Sequence, residues 1–311
     1  MRNPRIVILG GAGMLGHKLF QTLRERVPGT IATTRSSVAR PPLDRVALLQ
    51  GPDVVPGVDV DDFDALRSRL RQWSPEFIIN CVGVIKQRDT AKAAIPSITI
   101  NSLLPHRLAE AAAEWGGRLI HFSTDCVFSG RKGNYLESDP SDAEDLYGKS
   151  KFLGEVAAGN ALTLRSSIVG RELTEHRSLL DWFLSQNGSQ VRGYTRAIYS
   201  GITTNEMANV VTRVIEGQQR VSGLYQVASD PISKYELLLL IRDAYGLDIE
   251  ISRDDREVCD RSMSGRRFTE ATGWRSPSWP ELVRQLAADT TPYEAWGVGV
   301  LTAKQMELKN V

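Results

Sequence analysis

The chain has 311 residues, of which 41% are hydrophobic and 24% charged, with a formal net charge of +1. That length supports one large or two modest domains around a packed core. The near-neutral balance excludes electrostatic attraction to nucleic acid or a membrane surface as the organising feature. Cys81, Cys126 and Cys259 have no C-x-x-C spacing, which suits a reducing cytoplasm better than a disulfide framework. No apolar run approaches the ~20 residues that span a bilayer, and MRNPRIVILGGAG runs straight into a strand without the features of a signal peptide. A cytoplasmic protein is expected.

Arg5 to Leu9, RIVIL, is a continuous apolar run of the kind found in buried parallel strands. It ends in Gly10-Gly11-Ala12-Gly13-Met14-Leu15-Gly16, and helical periodicity follows through Leu15, Leu19 and Leu23. Gly10, Gly13 and Gly16 read G-x-x-G-x-x-G. The first permits a tight turn, the second lets backbone approach a pyrophosphate, and the third lets helix pack on strand. The first turn of the helix, with Met14 and Leu15, offers its N–H groups to the phosphates. A glycine triplet alone is a weak signal; between a strand and a helix it is a strong one.

Thr30 to Thr34 is the second strand, followed by Arg35-Ser36-Ser37. An acid here would bond a ribose 2′-hydroxyl, whereas Arg accommodates a 2′-phosphate. Arg35 and Ser36 therefore favour NADPH over NADH, with NADH retained as the alternative if Arg35 is only a solvated surface residue. Residues 40–56 carry turn signals, and Gly57 to Asp61 reads as the end of a third strand. Asp62 to Trp73 is a helix on the spacing of Phe63, Leu66, Leu70 and Trp73, capped by Asp61 or Asp62. Phe77 to Asn80 is the fourth strand, leading into Cys81-Val82-Gly83, whose Cys81 is read as packing.

The loop from Val84 to Pro96 holds Lys86, Gln87 and Arg88, cations that either meet a diphosphate or stay solvated. Asn101 opens the helix NSLLPHRLAEAAAEWG, which Gly116-Gly117 ends. Arg118 to Phe122 is the fifth strand and delivers Ser123, Thr124 and Asp125 at its carboxyl edge, where ligands bind in such sheets. His121 reads as a core histidine. No His/Cys cluster suits zinc, and no metal is expected.

Tyr147 and Lys151 follow at the spacing Tyr-x-x-x-Lys, one helical turn apart on one face. A cation that close is expected to lower the phenol from its usual ~10, so that Tyr147 exchanges a proton with a sugar or alcohol oxygen. The Thr124 hydroxyl would bond the same oxygen.

STDCVFSG, then Tyr135-x-Glu137, then YGKSK and GE together resemble the extended short-chain dehydrogenase/reductase superfamily. Within it the chain is most similar to the dTDP-4-dehydrorhamnose reductase family, from Arg5 to about Leu286. The resemblance implies that Thr124, Tyr147 and Lys151 are catalytic. It places Asp59 and Val60 beside the adenine, and Cys81, Val82, Gly83 and Asn101 on the cofactor side. Lys86, Asp125, Cys126 and Ser167 would face the substrate. Cys126 departs from the family's usual Tyr. Relatives can carry a metal at a dimer interface, with a carboxylate just after the glycine loop; His17 and Lys18 stand there instead, which puts such dimerisation in doubt and leaves a homodimer open.

Beyond that stretch, Ala161 to Arg165 is a sixth strand and Leu173 to Gln186 a helix. Residues 192–204 are turn-rich, Asn205 to Glu216 is a helix capped by Thr204, and Gly223 to Ala228 is a strand returning to the main sheet. Ser233 to Tyr245 is a helix and Ile249 to Ser252 a short strand. Arg266 and Arg267 lie in a basic segment that either binds a substrate phosphate in bidentate fashion or forms a solvated turn. Residues after Pro292, with Trp296 and Val298 to Leu301, form a packed arm, an oligomer contact or a disordered tail.

Strand–helix alternation predicts an α/β, doubly wound parallel (Rossmann-type) sheet with a smaller C-terminal α/β substrate domain. Residues 1–170 are expected to bind the dinucleotide, with a segment near 195–229 returning to them, and 171–311 to form mainly the substrate domain and the extension. The expected activity is NADPH-dependent reduction of a nucleotide-diphospho-4-keto-6-deoxyhexose, in cell-surface polysaccharide sugar biosynthesis. The rivals are a nucleotide-sugar epimerase or dehydratase with bound NAD, and a catalytically silent NADP-binding regulatory subunit.

Overall fold

The structure, a computed structural model, describes residues 5–85, 93–174, 177–217 and 221–297. Strand β1 (Ile6–Leu9) is buried on both faces: Ile6 and Ile8 enter one core, Val7 and Leu9 the other. An uninterrupted apolar run demands that two-sided cover. The chain then alternates through α1 (Met14–Arg26), β2 (Thr30–Thr34), β3 (Val54–Pro56), α2 (Phe63–Trp73) and β4 (Phe77–Asn80). Asp62 caps α2, its carboxylate accepting from the Ala65 N–H.

Next come α3 (Ala94–Ser97), a π-helical turn over Ile98–Leu103, α4 (Leu104–Ala113), β5 (Arg118–Ser123), α5 (Leu146–Leu153) and β6 (Leu162–Arg165). The remainder is built from shorter pieces. These are β7 (Ile168–Val169), α6 (Leu179–Leu184), β8 (Gln190–Tyr194), β9 (Ala197–Tyr199), β10 (Ile202–Thr203) and α7 (Thr204–Glu216). Then follow β11 (Gly223–Gln226), β12 (Ile232–Ser233), α8 (Lys234–Tyr245), β13 (Glu250–Asp254), β14 (Cys259–Asp260), α9 (Arg266–Thr272) and α10 (Trp279–Ala287).

Seven parallel strands form the main sheet in the order β11-β6-β5-β4-β1-β2-β3. Helices cover both faces, as a doubly wound fold requires. Leu19, Phe20 and Leu23 of α1 share one core with Met207, Val210 and Val211 of α7; Leu66 and Leu70 of α2 share the other with Leu104 and Leu108 of α4. Strand order reverses between β1 and β4, which opens a crevice at their carboxyl ends, the place where such folds bind ligands. The smaller sheets, β10-β7, β12-β9-β14 and β13-β8, belong to the C-terminal part.

Several local expectations differ from the structure: Thr203 rather than Thr204 caps α7, and the helix expected to open at Asn101 already begins at Ala94. The third strand is Val54–Pro56, not residues 57–61, because Ala32 pairs with Val54 and Thr34 with Pro56, and Gly57 at φ +74° turns the chain away. The helix expected from Leu173 to Gln186 is confined to α6. Ser178 caps it, and Asp181 turns back to accept from the Glu172 N–H, so the described residues 173, 174 and 177 lie outside the helix. The turn-rich stretch 192–204 holds β9, β10 and most of β8, each pairing with a strand distant in sequence.

Candidate active site

The glycine loop sits at the crevice. Gly10 adopts φ +82°, and a Cβ there would lie 3.1 Å from Val82 Cγ2 and 3.3 Å from the Cys81 carbonyl oxygen. The loop after β1 and the loop after β4 are therefore pressed together. At Gly16 a Cβ would stand 2.1 Å from the Gly10 oxygen, so α1 reaches the strand only without a side chain. Helix α1 starts at Gly13 with no side-chain cap and no acid in its first turn. Its dipole and N–H groups are left for an anion.

Across the crevice, β5 ends in Ser123 and passes into a short turn at Thr124. The Thr124 hydroxyl donates to Asp125 Oδ1 (3.1 Å) and accepts from the Cys126 N–H (3.2 Å). Helix α5 is capped by Asp145, whose carboxylate accepts from the Gly148 N–H at 2.7 Å. A Cβ on Gly148 would meet the Cys126 oxygen at 2.2 Å. That glycine lets the helix lie against the Thr124 turn and brings Tyr147 to it.

Burial pushes the Tyr147 phenol above its usual value, nearby Cys126 adds to the rise, and the Thr124 hydroxyl acts the other way. The lowering expected from Lys151 is not what the structure shows. The Lys151 ammonium is buried and donates instead to the Phe122 carbonyl at 2.6 Å. Burial lowers Lys151 from 10.5 to about 8, against the opposing pull of Glu155 and Cys81. Desolvation of two groups thus outweighs the attraction their spacing suggested. Burial likewise raises the Cys81 thiol, in keeping with a packing role.

Asn101 lies in the π-helical turn, fully enclosed. Its Oδ1 accepts from the Val84 N–H (2.8 Å), and its Nδ2 donates to the Val84 oxygen (3.0 Å) and to Ser150 Oγ (3.1 Å). It ties the loop after β4 to α5. π-helical turns recur at such places. Arg35, Ser36 and Asp59 are exposed, the first two just past the end of β2, and Val60 is buried. Ser167 is half-buried and follows β6. Arg266 faces solvent and donates to Glu270 (2.6 Å), while the Arg267 guanidinium lies 4.8 Å from the Tyr225 ring centre. Lys86 falls outside the described residues. Among the described residues no group of three His, Cys, Asp or Glu could hold a metal, and no helix is long and apolar enough to cross a membrane.

Sequence reasoning passed over two groups near the site. Arg261 donates from Nε to the Phe128 oxygen (2.9 Å); burial works against its charge, but Cys126, Cys259 and Asp125 outweigh it and hold the guanidinium above its ordinary value. It opens the basic segment, but the adjacent pair at Arg266-Arg267 was the more conspicuous feature. The second is a buried ion pair: Arg165 donates to both Glu155 oxygens (2.9 and 2.6 Å), and Ser123 Oγ donates to Glu155 Oε1 (2.6 Å). It locks the end of α5 to β5 and β6. Only the acid after YGKSK and the Arg ending the sixth strand hinted at it.

A doubly wound sheet with an uncapped glycine loop facing a Thr, Tyr and Lys group is the architecture of an extended short-chain dehydrogenase/reductase. Residues 4–289 match the family described as RmlD substrate binding domain, and the chain belongs to that family. It is 24% identical over 298 residues to the spore coat polysaccharide biosynthesis protein SpsK of Bacillus subtilis, covering 90% of this chain and 96% of that one. It is 28% identical over 310 residues to the methionine adenosyltransferase 2 subunit beta of Mus musculus, covering 90% and 88%. Its fold is shared with the crystal structure of dTDP-4-dehydrorhamnose reductase from Bacillus anthracis in complex with NADP, at a TM-score of 0.73, 19% identity, and coverage of 92% and 99%.

Proposed function

We propose that the chain is a dinucleotide-dependent reductase that uses NADPH to convert the keto group of a nucleotide-diphospho-4-keto-6-deoxyhexose to an alcohol. The observation that carries this reading is that Tyr147 reaches the Thr124 hydroxyl, and Lys151 the Phe122 carbonyl, at the carboxyl end of β5, across the crevice from an anion-ready helix terminus. Membership of the family and the NADP held by the Bacillus anthracis relative support it.

Bound at the crevice, the coenzyme would supply the hydride. Gly10, Gly13 and the first turn of α1 would hold its pyrophosphate, Arg35 and Ser36 its ribose phosphate, and Lys151 its nicotinamide ribose. Thr124 orients the sugar carbonyl. Tyr147 stays protonated across the physiological range because burial raises its phenol, so it gives up its proton only to a strong base, the nascent alkoxide. Proton and hydride together complete the alcohol, and solvent restores the phenol. Arg261, beside Asp125 and Cys126, is a cation for the substrate's diphosphate.

The test is a panel of dTDP- and UDP-4-keto sugars, with the loss of NADPH absorbance followed for each. Stoichiometric NADPH consumption supports reduction; product formation without it supports an epimerase or dehydratase. The relatives named methionine adenosyltransferase 2 subunit beta favour a second reading, a regulatory subunit. That reading prevails if no sugar in the panel is turned over while NADPH still binds.

A further inference from the structure

His17 lies one turn into α1 and is fully buried. Its Nδ1 is 2.9 Å from the Gly13 carbonyl oxygen and its Nε2 is 2.8 Å from the Tyr293 hydroxyl. A carbonyl oxygen can only accept, so Nδ1 carries the hydrogen, and Nε2 of the neutral ring accepts from Tyr293. Burial lowers the imidazole to about 4, which keeps it neutral.

Tyr293 is itself held. The Arg171 guanidinium lies 4.7 Å and the Lys18 ammonium 5.8 Å from its ring centre, and Trp296 packs edge-on at 6.0 Å. Arg171 donates to Asp181 (2.7 Å) and Glu294 (3.1 Å), and Lys18 to Asp289 (2.6 Å) and Thr291 (2.8 Å). Residues 289–297 are therefore an arm fastened to α1 directly behind the glycine loop.

We propose that Tyr293 and His17 are positioning residues for the dinucleotide: the arm anchors the His17 ring at Nε2, and His17 Nδ1–H holds the Gly13 carbonyl. That carbonyl shares a planar peptide with the Met14 N–H, at the helix end that would face the pyrophosphate. The proposal rests on the coenzyme reading above.

Three variants of the full chain test it, read by NADPH binding, kcat and melting temperature. In His17→Asn the amide nitrogen stands near the place of Nδ1 and keeps the bond to Gly13. In His17→Gln the amide moves to the Tyr293 end and loses it. NADPH is expected to bind His17→Gln roughly three- to tenfold more weakly. His17→Asn restores binding to within about twofold of the wild type, and kcat at saturating NADPH stays the same in both. Equal NADPH affinity in the two variants overturns the proposal.

Tyr293→Phe guards against misfolding of the His17 variants. The wild-type ring should show a pyrrole-type Nδ1 and a pyridine-type Nε2 by 15N resonance, and Tyr293→Phe should shift the Nε2 signal and weaken NADPH binding. A wild-type ring protonated at Nε2, or Tyr293→Phe with unchanged signal and affinity, overturns it. A wild type that binds neither NADPH nor NADH defeats the coenzyme reading itself, and this role for the arm with it.

Discussion

Lys151→Met should stabilise the protein while abolishing turnover. Lys151 is 7% exposed, and burial lowers its ammonium from 10.5 to about 8. Holding that charge in the fold therefore costs about 3 kcal/mol when the lysine is protonated in both states. Methionine removes the penalty but forfeits the bond to the Phe122 oxygen, worth about 1 kcal/mol. The net gain near neutral pH is roughly 2 kcal/mol, or about 4 °C in melting temperature for a chain of this size. The sign follows from the direction of the shift. A lysine whose folded value lies below its unfolded one bears the full penalty below about 8, and the penalty fades as the pH rises from there towards 10.5. Urea unfolding of wild type and variant at pH 7 and again near pH 10 should show a gap that narrows with pH. A variant less stable than the wild type at pH 7, or a gap indifferent to pH, refutes the reasoning.

The same titration predicts that NADPH affinity falls as pH rises through about 8, because the charged ammonium is the form that holds the ribose; fluorescence titration across that range checks it, and a flat profile removes Lys151 from the coenzyme site. Tyr147→Phe should lower kcat about 10²–10⁴-fold with NADPH affinity retained, and wild-type turnover in that variant would remove the phenol as proton donor. Asn101→Ala leaves the part-buried Val84 N–H without its acceptor, while the Ser150 hydroxyl keeps its bond to the Tyr147 carbonyl, and should destabilise the protein by about 1–3 kcal/mol in chemical denaturation. Gly16→Ala, with its Cβ 2.1 Å from the Gly10 oxygen, should yield no folded protein that binds dinucleotide, as a circular-dichroism melt and a binding titration would show.

What could be read from the residues was whatever depends on near neighbours. Thr30–Thr34 and Phe77–Asn80 are strands at the bounds their apolar runs set, and Asp62 caps α2 as its position suggested. The hidden parts depend on partners far along the chain. β9 is a strand because Ile198 and Tyr199 meet Ser233 and Ile232, and no periodicity within three residues announces that. The Tyr-x-x-x-Lys spacing put two side chains on one face, yet it could not show that the Phe122 carbonyl would take the ammonium or that burial would govern the phenol. The role of His17 was out of reach for the same reason, since its partner lies 276 positions away.

The place of β11 beside β6 bears on how the chain is made. A ribosome that has delivered 170 residues has released six of the seven main-sheet strands, and the outer edge of β6 then has no neighbour until residues 223–226 emerge. Leu162 and Leu164, buried in the finished protein, lie on that strand. Nascent or prematurely terminated products ending between these points would display a bare parallel edge, an invitation to chaperones and to self-association.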